Sequence, residues 1–237
     1  YFTRALEVQE EMDDKWQKRF TLRGLGVFYS MKGDYEKSLH YLTRSLKLRE
    51  ELGDKWGMGN VLSGIGGIYA HKGDYDKALK FFDRSLKIHK NLGDKIRIAV
   101  DKISIGIVYY YKGDYEKVVE YFEQSISIQK ESVLGEDERY LGSSLETTAY
   151  LFISYKYLDR KYDVEKIHTL IEEAENIEYG LNFSLYQLLE DTSYLKTAYN
   201  QVQEKASAMD EELAKKFLSY PIPKAIVEEW EKVRTVK

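Results

Sequence analysis

Lys72-Gly73-Asp74-Tyr75 is the middle one of three copies: Lys32-Gly33-Asp34-Tyr35 stands 40 positions before it and Lys112-Gly113-Asp114-Tyr115 stands 40 positions after it. A second marker keeps the same period, since Leu52-Gly53-Asp54-Lys55 returns as Leu92-Gly93-Asp94-Lys95. Residues 35–54 and 75–94 are identical at ten of twenty positions. Self-similarity at a fixed period of roughly 20–50 residues marks an array of small units, each burying its apolar face only against its neighbours.

Between the markers the apolar residues follow a helical period. Trp56, Met58, Val61, Leu62, Ile65, Ile68 and Tyr69 define one helix over 55–71, and Tyr75, Ala78, Leu79, Phe82, Leu86 and Ile88 define the next over 75–91. The Lys-Gly-Asp turn explains the break between them. Glycine supplies a left-handed residue after one helix, and the aspartate caps the start of the next. Gly93 and Asp94 repeat that arrangement, and Asp14 with Gln17 has the spacing of a capping box. Acidic Glu36, Asp76 and Glu116 fall in first turns, while Lys47, Arg49, Lys87 and Lys90 fall late, as the helix dipole favours.

Composition narrows the class of function. The chain has 237 residues, 43% hydrophobic and 32% charged, with a net charge of −4 and no cysteine. A net negative charge without a basic stripe gives no footprint for nucleic acid. No apolar run is long enough for a membrane span. The absence of cysteine removes disulfide and thiol chemistry and suits a reducing, cytoplasmic setting. The two prolines lie near the C-terminus, so a long helical region precedes them.

The residues that recur resemble the tetratricopeptide repeat (TPR) family in its longer, 40-residue-period variety. Ile65, Gly66, Tyr69, Gly73, Tyr75, Ala78, Phe82 and Ser85 match that family's spacing. Leu25, Gly26, Tyr29, Gly33, Tyr35, Ser38, Leu42 and Ser45 match it one unit earlier, and Ile105, Gly106, Tyr109, Gly113, Tyr115, Val118, Phe122 and Ser125 one unit later. The resemblance implies an all-α, right-handed α-solenoid of antiparallel helix pairs.

The expected division is a tail helix of a truncated repeat at 1–13, repeats at 14–53, 54–93 and 94–134, a degenerate repeat at 135–178, a degenerate fifth helix pair at 179–209 and capping helices at 210–237. Residues 1–15 align with 41–55, so Tyr1 falls in mid-helix. Phe2 and Leu6 would then lack a covering helix and offer a surface for self-association. The pattern decays after residue 132. Val133–Asp137 replaces the Leu-Gly-Asp-Lys loop, and Asp159-Arg160-Lys161 replaces the Lys-Gly-Asp turn with a one-residue insertion. Asp210 is read as the cap of a short helix to Leu218, which Pro221 and Pro223 break, before an amphipathic helix over 224–235 carrying Ile226, Val227, Trp230 and Val233. That last helix either caps the array or folds back into its groove.

Most polar motifs have structural readings. Gly64-Ile65-Gly66-Gly67 has no preceding strand, and Tyr69 stands where a phosphate loop needs its third glycine. Gly26, Gly66 and Gly106 instead recur at the period, and the resemblance makes them points of close helix approach. His168 and Glu172 are one turn apart but have no third metal ligand at suitable spacing. His40, His71 and His89 are scattered. Asn182-Phe183-Ser184 has the glycosylation pattern, without a sign of secretion. No nucleophile, base and acid stand together, so neither catalysis nor a cofactor or metal is expected.

What the resemblance adds is a concave face, lined by the first helix of each pair, that binds a peptide or helix. In this numbering the face comprises Phe20, Arg23, Val27, Ser30 and Met31, then Asn60, Ser63, Gly67, Ala70 and His71, then Val100, Ile103, Ile107, Tyr110 and Tyr111. A fourth unit adds Glu146, Ala149, Ile153, Lys156 and Tyr157. Periodicity alone does not separate groove from core for Val100, Ile103 and Ile107. The face lacks the lysine and asparagine set with which some TPRs clamp a terminal carboxylate. Two functions fit: a non-catalytic module that binds a protein or peptide in the groove as part of a larger scaffold or signalling protein, or a sensory domain that binds a small ligand or signalling peptide and controls an attached output domain.

Overall fold

The computed structural model describes residues 14–131 and 144–235. The readings of residues 1–13 as the tail of a helix and of Val133–Asp137 as an altered loop lie outside the described residues. Among the described residues there are twelve helices and no strand, arranged as two compact units, Tyr1–Asp94 and Lys95–Lys237. The all-α helical-repeat class is as read from the sequence.

The first unit contains α1 (Lys15–Met31), α2 (Tyr35–Glu51), α3 (Lys55–His71) and α4 (Tyr75–Leu92). Asp14, Asp34, Asp54 and Asp74 cap them, each carboxylate accepting the backbone N–H three residues on. Those amide groups have no partner inside the helix, so each aspartate satisfies one that would otherwise be lost. Gly33, Gly53, Gly73 and Gly93 all have positive φ, the conformation that a side chain resists. In the turns between paired helices, Asp34 N–H donates to the Tyr29 carbonyl and Asp74 N–H to the Tyr69 carbonyl, both at 2.9 Å. This five-back bond closes the helix end and folds the next helix back on it.

Packing explains the remaining periodic residues. A Cβ on Gly26 would stand 2.6 Å from Cγ of Leu42, and one on Gly66 would stand 2.9 Å from Cδ1 of Phe82. The glycines therefore let paired helices approach until Leu42 and Phe82 sit against bare backbone. Ser45 Oγ donates to the Arg19 carbonyl at 2.8 Å and Ser85 Oγ to the Gly59 carbonyl at 2.9 Å. Ser125 makes the same bond to Ala99 in the second unit, at 3.0 Å. Each buried hydroxyl ties the second helix of a pair to the first, a net gain of about 1 kcal/mol per bond.

The second unit contains α5 (Lys95–Lys112), α6 (Tyr115–Glu131), α7 (Leu145–Tyr157), α8 (Val164–Glu172), α9 (Tyr179–Leu189), α10 (Thr192–Ser207), α11 (Glu211–Leu218) and α12 (Pro221–Thr235). Val118, Phe122, Ala149, Ile153, Ile167 and Leu185 form its core.

Two sequence expectations need correction. Pro221 and Pro223 do not precede the last helix but lie in its first turn, because a proline there gives up only an amide that had no helical partner. The turn after α7 is also longer than one inserted residue. Asp159 takes the glycine's place at φ 54° and Arg160 N–H donates to the Tyr155 carbonyl at 2.8 Å, as in the regular turns. The cap is then Asp163, with Arg160, Lys161 and Tyr162 between. Tyr162 thus lies ahead of the helix, its ring centroid 5.4 Å from that of Phe152. Among the described residues, no helix is long and apolar enough to cross a membrane.

Candidate interaction surface

In the first unit the proposed face of α1 is open. Phe20, Val27 and Met31 are 50%, 43% and 72% exposed, Arg23 is exposed and Ser30 is half-buried. They lie on one stripe, three or four residues apart, and Trp16 extends it by a further turn at 58% exposure. Trp16 and Phe28 were not singled out from the sequence. Trp16 opens its helix as Trp56 and Ile96 do theirs, and that 40-residue recurrence was the available signal.

Helix α3, which touches α1, presents the opposite character. Asn60, Ser63, Gly67 and Ala70 are half-buried and His71 is exposed, its ring stacked 5.6 Å from that of Tyr35. Asn60 Nδ2 donates to the Trp56 carbonyl. Three of the five glycines of α3 have internal reasons. A Cβ would collide with the Arg49 guanidinium and the Asp54 carboxylate at Gly57, with the His89 ring at Gly59 and with Phe82 at Gly66. The other two do not. At Gly64 the nearest atom is Cδ1 of Leu42 at 3.8 Å, and at Gly67 nothing lies within 4 Å. Each costs about 1 kcal/mol against alanine in a helix interior.

In the second unit the expectation fails in part. Ile103 and Tyr110 are buried in the core, and Ile107 and Tyr111 pack against it, leaving Val100 half-buried. Tyr110 Oη donates to Gln187 Oε1 at 2.6 Å, and the Tyr111 and Tyr150 hydroxyls are 2.9 Å apart. These bonds join α5 to α9 and α7, which is why the α5 face is covered. Burial raises the Tyr110 hydroxyl above its ordinary pKa. Burial, with Tyr157 beside it, pushes Tyr115 up to about 12.

From the fourth repeat, Ala149 and Ile153 are fully buried. Lys156 Nζ donates to the carbonyls of Gln187 and Leu188 at 3.2 Å and to the Glu190 carboxylate at 2.7 Å, a cation at the C-terminal end of α9. Tyr157 stacks on Tyr115 at 4.3 Å, and Glu146 is exposed. Ile103, Tyr110, Ala149 and Ile153 therefore leave the candidate surface. Helical spacing marked them as apolar without saying which apolar face meets a neighbour.

Among the described residues no three His, Asp or Glu side chains are grouped to hold a metal. Asn182 is buried, its amide donating to the Ile177 carbonyl and to Gln201, so the sequon is not presented.

Residues 57–131 match the family model described as tetratricopeptide repeat. Tetratricopeptide repeats are thus present over residues 57–131. No curated protein sequence matches it. Solved structures share the TPR-like fold. The apo form of RapI is 19% identical, with a TM-score of 0.65 over 98% of this chain and 90% of that one. A Rap protein complexed with competence and sporulation factor is 18% identical, with a TM-score of 0.64 over 98% of this chain and 70% of that one. BtubC from P. vanneervenii is 16% identical, with a TM-score of 0.55 over 99% and 89%.

Proposed function

We propose that this TPR chain is a protein-interaction module whose first unit receives a peptide or helix on the face formed by α1 and α3. The observation that carries the reading is the pair Gly64 and Gly67. Both keep a helix-weakening residue that no internal contact requires, next to a helix whose Phe20, Val27 and Met31 are exposed. Bare backbone beside protruding apolar side chains accepts the ridge of a partner helix or an extended segment. Arg23, Ser30, Asn60, Ser63, Ala70 and His71 supply its polar and small rim. In the second unit Val100, Ile107 and Tyr111 of α5 and Glu146, Lys156 and Tyr157 of α7 remain as candidates. The Rap protein solved with competence and sporulation factor supports a fold of this kind holding a bound factor. The repeat division at 14–53, 54–93 and 94–134 is part of the same proposal.

The test is capture from source lysate by the full chain, beside Val27→Glu and Gly67→Gln variants checked for equal helicity. Val27 is exposed and Gly67 has open space, so both variants should fold. Loss of the same bound protein with both variants is the expected result. Equal recovery by all three moves the interaction elsewhere and overturns the assignment.

A further inference from the structure

Around Asp54 the charges do not balance. Its Oδ1 is used by the cap, accepting Gly57 N–H at 2.9 Å. Its Oδ2 receives the Arg49 guanidinium and also lies 3.3 Å from Nε of Arg19. One carboxylate with both oxygens engaged thus faces two guanidinium groups. These are among the most buried charges of the first unit, Arg49 being 2% and Arg19 8% exposed. Arg23, one turn beyond Arg19, is a third cation, exposed and close enough for its charge to act on Arg49. Nη1 of Arg19 is buried without a hydrogen-bond acceptor.

What covers Arg19 is aromatic. Its guanidinium carbon lies 3.9 Å from the Trp16 ring centroid and 4.5 Å from that of Phe20, and Phe20 also stands 5.2 Å from the Arg49 guanidinium. Cation–π contact offsets part of the charge but supplies no acceptor. Both rings are half-exposed, so the roof faces solvent at the end of the Trp16–Phe20–Arg23–Val27 stripe.

The repeat does not need these arginines. The positions that match Arg19 are Gly59 and Ala99, and those that match Arg49 are His89 and Gln129. The tie that Arg19 shares with its counterparts is made by its backbone carbonyl. The excess cation is therefore peculiar to this repeat and lies on its open face.

We propose that Arg19 and Arg23 form a carboxylate-receiving site. A partner of the α1–α3 face seats an aspartate or glutamate side chain there, against the rims of Trp16 and Phe20. The proposal rests on the surface reading above for its occupant being a peptide or helix. The planar, always charged guanidinium groups suit a carboxylate. With one added negative charge, two carboxylates would face the three arginines. The chain's net charge of −4 and the small size of the patch do not suit a nucleic-acid backbone.

The test uses the isotope-labelled full chain and a blocked tetra-glutamate peptide, with blocked tetra-glutamine as its neutral control. The readouts are the Nε–H signals of the arginines and the Trp16 indole signal. Saturable displacement of the Arg19, Arg23 and Trp16 signals by tetra-glutamate alone is expected, with half-saturation raised about tenfold by Arg23→Gln, in line with losing one charge-assisted contact. Arg160→Gln, an equal charge change in the second unit, should leave the titration unmoved. Arg19→Met keeps the packing volume and should abolish the Trp16 response. If Arg19→Met does not fold, Arg23→Gln decides alone. Absence of a saturable shift, an equal effect of Arg160→Gln, or equal displacement by inorganic phosphate overturns the proposal. Loss of the lysate partner with Val27→Glu, together with silent arginine signals, would leave the surface reading standing and sink this one.

Discussion

Gly66 and Gly67 are adjacent, identical and opposite in consequence. Gly66 lies where α4 presses Phe82 against the backbone, so a methyl group would meet the ring at 2.9 Å and helix or ring would have to shift. Gly67 points into open space, so the same methyl group meets nothing and only the intrinsic helix preference counts. Gly66→Ala should therefore lower stability by about 1–3 kcal/mol, as overpacking does. Gly67→Ala should raise it by roughly 0.5–1 kcal/mol. Urea melts of both variants beside the parent chain check the pair. Changes of the same sign would remove the argument that Gly64 and Gly67 answer to something outside the chain. The periodic glycines 26, 66 and 106 announced their packing role in the sequence through the 40-residue spacing. Gly67 did not, because spacing shows what recurs inside the repeat and its matching positions are Val27 and Ile107; Gly64 recurs once, as Gly24, and gives way to Ser104.

Helices and turns were legible wherever a local rule decides them. Asp34, Asp74 and Asp114 accept the N–H three residues on, and each follows a glycine of positive φ. Both features belong to residue type, so the sequence displays them. The turn after α7 was misread because Asp159, a residue that tolerates the left-handed region, fills the glycine's role and no glycine marks it. The α5 face was misread for a different reason. Tyr110 reaches Gln187, 77 residues away, and no local pattern carries so distant a partner. The last helix is a test at this scale. Ile226 of α12 is fully buried, Trp230 stacks 5.5 Å from Tyr199 of α10, and Tyr186 of α9 donates to Glu229 at 3.1 Å. The helix thus packs into the second unit by a strip of contacts. Ile226→Ala should lower stability by about 2–5 kcal/mol. A thermal melt unchanged by that substitution would show that α12 contributes no core.

Across the whole chain the tyrosines are distributed unevenly in their chemistry. The hydroxyls of Tyr110, Tyr115, Tyr150, Tyr155, Tyr186 and Tyr194, all in the second unit, are raised above the ordinary tyrosine value of about 10, in each case chiefly by burial. In the first unit Tyr75 is raised, also by burial. A hydroxyl that holds its proton more tightly when folded contributes stability that is fully present below the unfolded pKa. As pH climbs from about 10, the unfolded chain ionises while the folded chain does not, so the contribution drains away until the folded value is passed, at about 12 for Tyr115. The loss should show in the second unit, where Tyr110 and Tyr150, both raised by burial, pack ring to ring among α5, α7 and α9. Far-UV ellipticity and tyrosinate absorbance, followed together from neutral pH upward, check this. Both should change in one cooperative step above pH 10, and Tyr110→Phe, which removes one ionisable group from the cluster, should make the alkaline loss shallower. A smooth rise of tyrosinate with helicity intact through pH 12 would mean that the cluster admits water and charge without unfolding. The tyrosine-bonded face of α5 would then be open to solvent, and the removal of Tyr110 from the candidate surface would have to be reversed.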